Sequence, residues 1–136
     1  MSRLRLLGGT VYTIAVPGAR VLIVEDDRDS AELLARYLSA RGAAVTRAGS
    51  AEEAEKRLAA AAFDLVLLDA ILPGKTGLQA LGAMTRLTRA PIWLMSGQNA
   101  EDVEPDARLL GASGFLRKPL ELEKVAALAV PLPPAA

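Results

Sequence analysis

The sequence predicts an α/β domain, a parallel sheet with helices on both faces. Three observations carry this. From Arg20 onward, short apolar runs alternate five times with stretches of helical periodicity, the mark of successive strand–helix units. Two of those runs, Val-Leu-Ile-Val at 21–24 and Leu-Val-Leu-Leu at 65–68, contain no polar residue, as strands covered on both faces require. The chain has 136 residues, 51% of them hydrophobic, enough for one domain with a real core and too few for two ordinary ones.

Residues 1–19 stand apart from this alternation. Residues 10–16 are β-prone, and Pro17-Gly18 follows as a turn. The run at 21–24 is the first strand. From 28 to 40, Ala31, Leu34 and Leu38, with Leu33 and Tyr37, recur at helical spacing. Asp27 or Asp29 is placed to cap that helix, and Gly42 to end it. Residues 43–46 form the second strand. Ser50 and Glu53 are spaced as a capping box for a helix reaching about Ala61. The run at 65–68 is the third strand. The loop Pro73-Gly-Lys-Thr-Gly77 leads into a helix carrying Leu78, Leu81, Met84 and Leu87. Residues 91–95 form the fourth strand. Residues 98–105 are poor helix formers and predict a long, mobile loop, with Pro105 in the first turn of a short helix. Residues 114–116 form the fifth strand. The last helix runs from Glu121 to about Val130, where Pro131, Pro133 and Pro134 stop it. The expected organisation is a flexible extension at 1–19, a domain at 20–130 and a Pro-rich tail at 131–136.

Composition narrows the chemistry. Sixteen basic and sixteen acidic residues cancel, which argues against binding nucleic acid through a basic field or a membrane through a polybasic arm. With neither cysteine nor histidine, disulfides, thiol or imidazole catalysis and Cys- or His-ligated zinc are excluded. Carboxylates, lysine, arginine, hydroxyls and a hard, oxygen-loving metal remain. No run approaches the roughly 20 apolar residues of a membrane span. Gly8-Gly9 cuts the apolar start far short of a signal core of about 7–15 residues, so a cytoplasmic location is expected.

In an open parallel sheet the site lies at the carboxyl ends of the strands. There the sequence places Glu25 and Asp26 after the first strand, Asp69 after the third, Ser96 after the fourth and Lys118-Pro119 after the fifth. A lone aspartate at a strand end is more often a helix cap. Three acids at this set of ends are better explained by a divalent cation that relieves their repulsion, and all-oxygen ligands favour magnesium. Ser96 can bond an oxygen of a bound group or its own loop. Lys118 is placed to pair with an acid or a bound anion, and Lys118-Pro119 is a candidate cis peptide.

Four segments, Val21-Leu-Ile-Val-Glu-Asp-Asp27, Asp64-Leu-Val-Leu-Leu-Asp-Ala-Ile-Leu-Pro-Gly-Lys-Thr-Gly77, Pro91-Ile-Trp-Leu-Met-Ser96 and Gly111-Ala-Ser-Gly-Phe-Leu-Arg-Lys-Pro119, together resemble the receiver domain of two-component response regulators, single-domain chemotaxis regulators among them. The resemblance runs from about Arg20 to Val130, in order and with family spacing. It implies a flavodoxin-like, doubly wound five-stranded parallel sheet in the order 2-1-3-4-5 with five helices. It implies that Asp69 is the phosphoacceptor, and that magnesium (or manganese) is bound directly by Asp26 and through water by Glu25, with Asp69 and the Ile71 carbonyl as further ligands. Lys118 would hold a phosphoryl oxygen, and Pro119 would follow a cis bond. Ser96 would be the switch hydroxyl and Phe115 the switch aromatic.

The implied partners are a histidine kinase or histidine phosphotransfer protein, and an output protein on the surface of the fourth helix, fifth strand and fifth helix. Direct contact with nucleic acid or membrane is not expected, and the chain is expected to be a monomer or weak homodimer. It would not be an enzyme beyond magnesium-dependent self-phosphorylation and self-dephosphorylation. A magnesium-dependent phosphatase of the haloacid dehalogenase type would need a second aspartate two residues after Asp69, where Ile71 stands. A pseudo-receiver scaffold would usually have lost an acid or the lysine. In the implied topology the first strand is central, so residues 10–16 cannot pair with it. They are expected to be disordered, to lie over a face, or to pair with an outer edge. Ile71 is expected to hinder water near an acyl phosphate, and Gln98 to oppose that by orienting water.

Overall fold

The computed structural model of the chain describes residues 3–7, 11–97 and 100–129. Each apolar run of the sequence is a strand: β3 (Arg20–Val24), β4 (Ala44–Ala48), β5 (Leu65–Asp69), β6 (Ile92–Ser96) and β7 (Gly114–Arg117). They form one parallel sheet in the order β4-β3-β5-β6-β7. Counted from β3, this is the expected order 2-1-3-4-5. The helices are α1 (Arg28–Ala40), α2 (Ala51–Ala60), α3 (Gly77–Leu87), α4 (Ala100–Leu109) and α5 (Leu122–Leu128). Among the described residues no helix is long and apolar enough to cross a membrane.

Side chains alternate between the two faces of a strand, and here both faces are filled. Leu22, Val24, Val66, Leu68, Ile92 and Leu94 pack with residues of α2, α3 and α4, such as Leu58, Leu81, Met84 and Ala107. Val21, Ile23, Leu65, Leu67 and Met95 pack with Leu34 and Leu38 of α1 and with Val125 and Ala126 of α5. The aliphatic residues of β3 and β5 are fully buried. At about 1.5–3 kcal/mol for each such side chain, the two central strands anchor the fold.

Local signals set the helix boundaries. The Asp27 side chain accepts hydrogen bonds from the backbone N–H and hydroxyl of Ser30 and so caps α1. Past its end, Gly42 adopts φ +100°. Its N–H donates to the Ser39 carbonyl (3.0 Å), and that of Ala43 donates to Leu38 (3.1 Å), a Schellman motif. Ser50 caps α2 as expected, but Glu53 reaches back to the N–H of Gly49 at 3.2 Å, one residue before the cap. Thr76 and Gln79 form a reciprocal capping box at α3, which the sequence reading missed.

Two expectations are corrected. The long loop expected over 98–105 is replaced from Ala100 by α4, in which Pro105 is the sixth residue rather than part of the first turn. Proline there removes one internal hydrogen bond. The helix persists because Ala107 is fully buried and Val103 packs beside it on the α2–α3 side of the sheet, so tertiary burial overrides weak propensity. Second, within the β-prone segment, β2 (Val11–Ala15) pairs not with an outer edge of the main sheet but with β1 (Arg3–Leu7) in a separate hairpin. The sequence reading had assigned no strand to residues 3–7. β2 lies next to α5. Gln98 and the Pro-rich tail at 131–136 lie outside the described residues.

Two contacts set how the sheet begins and ends. At the start of β3 and β5, Asp64 is 1% exposed and its carboxylate accepts from the Arg20 backbone N–H at 2.8 Å and from the Arg20 guanidinium at 3.1 Å. The Asp64 N–H in turn donates to the Arg20 carbonyl at 2.7 Å. At the other end, Gly77 opens α3 directly against β5: a Cβ there would stand 2.1 Å from the Asp69 carbonyl oxygen.

Asp64→Ala strands the Arg20 backbone N–H and is expected to lower unfolding free energy by about 1–3 kcal/mol in denaturant titration, with Asp64→Asn milder. Gly77→Ala gains about 1 kcal/mol of helix propensity but presses a methyl group into backbone that cannot yield. The net result expected in the same titration is destabilisation, because overpacking costs about 1–3 kcal/mol and a backbone obstacle belongs at the upper end.

Candidate functional site

The parallel register aligns the carboxyl ends of four strands. Val24 stands opposite Leu68, Asp69 opposite Met95, and Ser96 opposite Arg117. Glu25 and Asp26 leave β3, Asp69 ends β5, Ser96 ends β6 and Lys118 follows β7. One carboxylate oxygen from each of Glu25, Asp26 and Asp69 lies within 4.8 Å of the others. Glu25 and Asp69 are only 6% and 5% exposed, whereas Asp26 faces solvent.

Lys118 joins the two buried acids. Its Nζ lies 2.8 Å from Glu25 Oε1 and 2.9 Å from Asp69 Oδ2. The other Asp69 oxygen, Oδ1, accepts from the Ile71 backbone N–H at 2.9 Å. The Lys118 backbone is held as well: its N–H donates to the Ser96 carbonyl at 2.9 Å, and the peptide to Pro119 is cis. Ser96 itself is 2% exposed. The segment after Asp69 closes on itself, since the Gly77 N–H donates to the Ala70 carbonyl at 3.1 Å.

The electrostatics follow from this crowding. Glu25 is pushed up to about 7, first by burial and then by its hydrogen bond to Asp69, against the opposing pull of Lys118. Burial pushes Lys118 down, but its hydrogen bonds to Glu25 and Asp69 outweigh that and hold its proton above the ordinary lysine range. One ammonium therefore pairs with two of the three clustered carboxylates. The remaining negative charge, on oxygen donors alone, suits a hard divalent cation.

The structure thus gathers Glu25, Asp26, Asp69 and Lys118 into one cluster, with Ser96 on the adjoining strand end. Ile71 lies on the rim with its side chain 64% exposed. Phe115 stands apart on the edge strand β7, half-buried against the α2–α3–α4 core. Asp27 belongs to the α1 cap instead. The sequence reading quoted Gly77 without giving it a role. Its signal was a glycine eight residues after Asp69 at the start of a helix, and the need for it shows only when α3 meets the Asp69 backbone.

Comparison with known proteins agrees with this fold. Residues 21–129 match the family described as the response regulator receiver domain. The chain is 38% identical over 112 residues to the transcriptional activator protein PfeR of Pseudomonas aeruginosa, covering 82% of this chain and 37% of that protein. It is 41% identical over 104 residues to the response regulator protein FleR of the same species, covering 76% of this chain and 22% of that protein. The chain therefore spans well under half the length of these relatives. Among solved structures, it resembles a response regulator from Burkholderia pseudomallei with a phosphorylated aspartic acid, calcium ion and citrate (TM-score 0.77, 29% identity, 82% of this chain and 66% of that one). It also resembles a two-component response regulator from Clostridium difficile (TM-score 0.76, 29% identity, 81% and 94%). On its strand order, its clustered acids and these matches, the chain belongs to the receiver-domain family of two-component response regulators.

Proposed function

We propose that Asp69 accepts a phosphoryl group from a histidine kinase or histidine phosphotransfer protein, and that the resulting aspartyl phosphate alters a protein-binding surface. The observation that carries this reading is the buried Asp69 carboxylate held between the Ile71 N–H and Lys118, with Glu25 and Asp26 within 4.8 Å. An Asp69 carboxylate oxygen attacks phosphorus. The bond from phosphorus to the donor nitrogen breaks, and its electron pair stays with the donor imidazole. Lys118 is the nearby cation able to follow the charge onto the phosphoryl oxygens.

Glu25, Asp26 and Asp69, with the Ile71 carbonyl, would hold magnesium or manganese. When bound, the cation supplies charge neutralisation for the phosphoryl oxygens. The Burkholderia structure's phosphorylated aspartic acid and calcium ion support both parts of this assignment. Receiver domains are signalling domains, so the chemistry proposed for this chain is limited to its own phosphorylation and dephosphorylation.

The phosphoryl group adds about −1.5 to −2 charges at one point. The Ser96 hydroxyl, one strand away, turns to bond it, and Phe115 moves into the space released. The surface of α4, β7 and α5 changes with them by shifting an existing equilibrium. Output is proposed to pass through protein contact on that face, in the cytoplasm, from a monomer or weak homodimer.

Incubation with acetyl phosphate is expected to add one phosphoryl group by intact-mass measurement, dependent on magnesium and abolished in Asp69→Asn. An adduct of equal yield in Asp69→Asn overturns the assignment. If acetyl phosphate gives no adduct, the magnesium-dependent binding of beryllofluoride, read by backbone NMR shifts, decides the point. Equal silence of the chain and of Asp69→Asn there defeats the reading.

Glu25 sets a pH dependence. Its carboxyl is raised in the fold from 4.5 to about 7, so the folded state binds its proton more tightly than the unfolded state. The stabilisation is full below about 4.5 and is lost as pH rises through about 7. Thermal unfolding of the metal-free protein is therefore expected to fall across that window. Glu25→Gln flattens the fall, and added magnesium opposes it.

A further inference from the structure

A groove of about 540 Å³ runs beside the edge strand β7, between α4 and α5. Its apolar lining comes from Trp93, Phe115, Leu116, Ala127 and Leu128, and its charged lining from Glu104, Arg117, Glu121 and Lys124. Trp93 is the chain's single tryptophan. Its half-buried ring lies so close over Gly114 that a Cβ there would come within 2.4–2.6 Å of it. The aromatic wall is therefore fixed by a missing side chain on the neighbouring strand.

We propose that this groove is the docking site of the chain's own Pro-rich segment, Pro131-Leu-Pro-Pro134. Three observations point to that occupant. The first is position: Leu128, the last residue of α5, lines the groove itself, and Pro131 follows three residues later. The second is direction. Ala129 takes φ −83° and ψ 55°, outside the helical range, so the axis of α5 does not continue past Leu128. The third is chemistry. Three prolines in four residues lack the N–H groups needed to extend the open edge of β7 as another strand. They favour the polyproline II conformation, whose rings pack against aromatic-lined grooves at little entropic cost.

Docked there, the tail covers Phe115 and the charged lining on the α4–β7–α5 face, so a partner on that face has to displace it. This inference does not depend on Asp69 chemistry, and its test needs no phosphorylation. Trp93 is the reporter: its emission and its quenching by acrylamide are compared for the full chain, for a chain ending at Val130, and for the full-length variant P131S/P133S/P134S. Far-UV circular dichroism establishes that each is folded. Both variants are expected to emit at longer wavelength and to be quenched faster. An added Val-Pro-Leu-Pro-Pro-Ala-Ala peptide is expected to return the truncated chain toward the full-chain spectrum. Identical emission and quenching in all three proteins overturns the proposal. So does a difference that vanishes on dilution, which would assign the groove to a second copy of the chain.

Discussion

One ammonium group organises the carboxyl end of the sheet. Glu25 and Asp69 are buried acids on neighbouring strands, and water cannot share their charge. Lys118 reaches them from the end of β7, across β6 to Asp69 and across β6 and β5 to Glu25. β6 ends in Ser96, whose carbonyl accepts from the Lys118 backbone N–H at 2.9 Å. Without the lysine, two uncompensated carboxylates would face each other in a partly dry crevice. With it, each buried acid has a cation within hydrogen-bond distance, and the cluster keeps oxygen donors to offer a hard divalent cation.

The sheet gives this cluster unequal support. Glu25 and Asp69 stand at the ends of β3 and β5, which have strand neighbours on both sides and fully buried aliphatic residues. Phe115 lies in β7 and Lys118 directly follows it; that strand has one neighbour and only four residues. The acids therefore sit on the part of the domain that resists displacement, and the lysine and aromatic on the part that yields more easily. A switch needs both: a rigid place where charge arrives, and a softer margin where its arrival is felt.

The central sheet was legible because β3 and β5 carry unbroken apolar runs, and a strand covered on both faces has no other economical pattern. Glu25, Asp26, Asp69 and Lys118 were legible because strand ends have fixed places in such a sheet. The rest depended on contacts distant in sequence. The early start of α4 was hidden by Pro105, and only the packing of Ala107 and Val103 shows why the helix begins before it. Residues 3–7 gave no strand signal on their own, since their pairing is supplied by β2. Gly77 looked like a loop residue until α3 was laid against the Asp69 backbone.

The entry into β3 has a practical consequence. Residues 16–19 are laced to the turn after α1, with the Val16 N–H donating to the Arg41 carbonyl at 2.8 Å and the Gly18 N–H to the Gly42 carbonyl at 3.0 Å. The polypeptide therefore enters the domain at the amino ends of the strands. A five-residue strand, rising about 3.3 Å per residue, separates that point from the acids. Affinity handles, fluorophores or whole proteins joined ahead of β3 would attach at the pole opposite the acidic crevice. The domain is thus suited to use as the carboxyl-terminal half of a fusion whose aspartate stays open to an incoming donor.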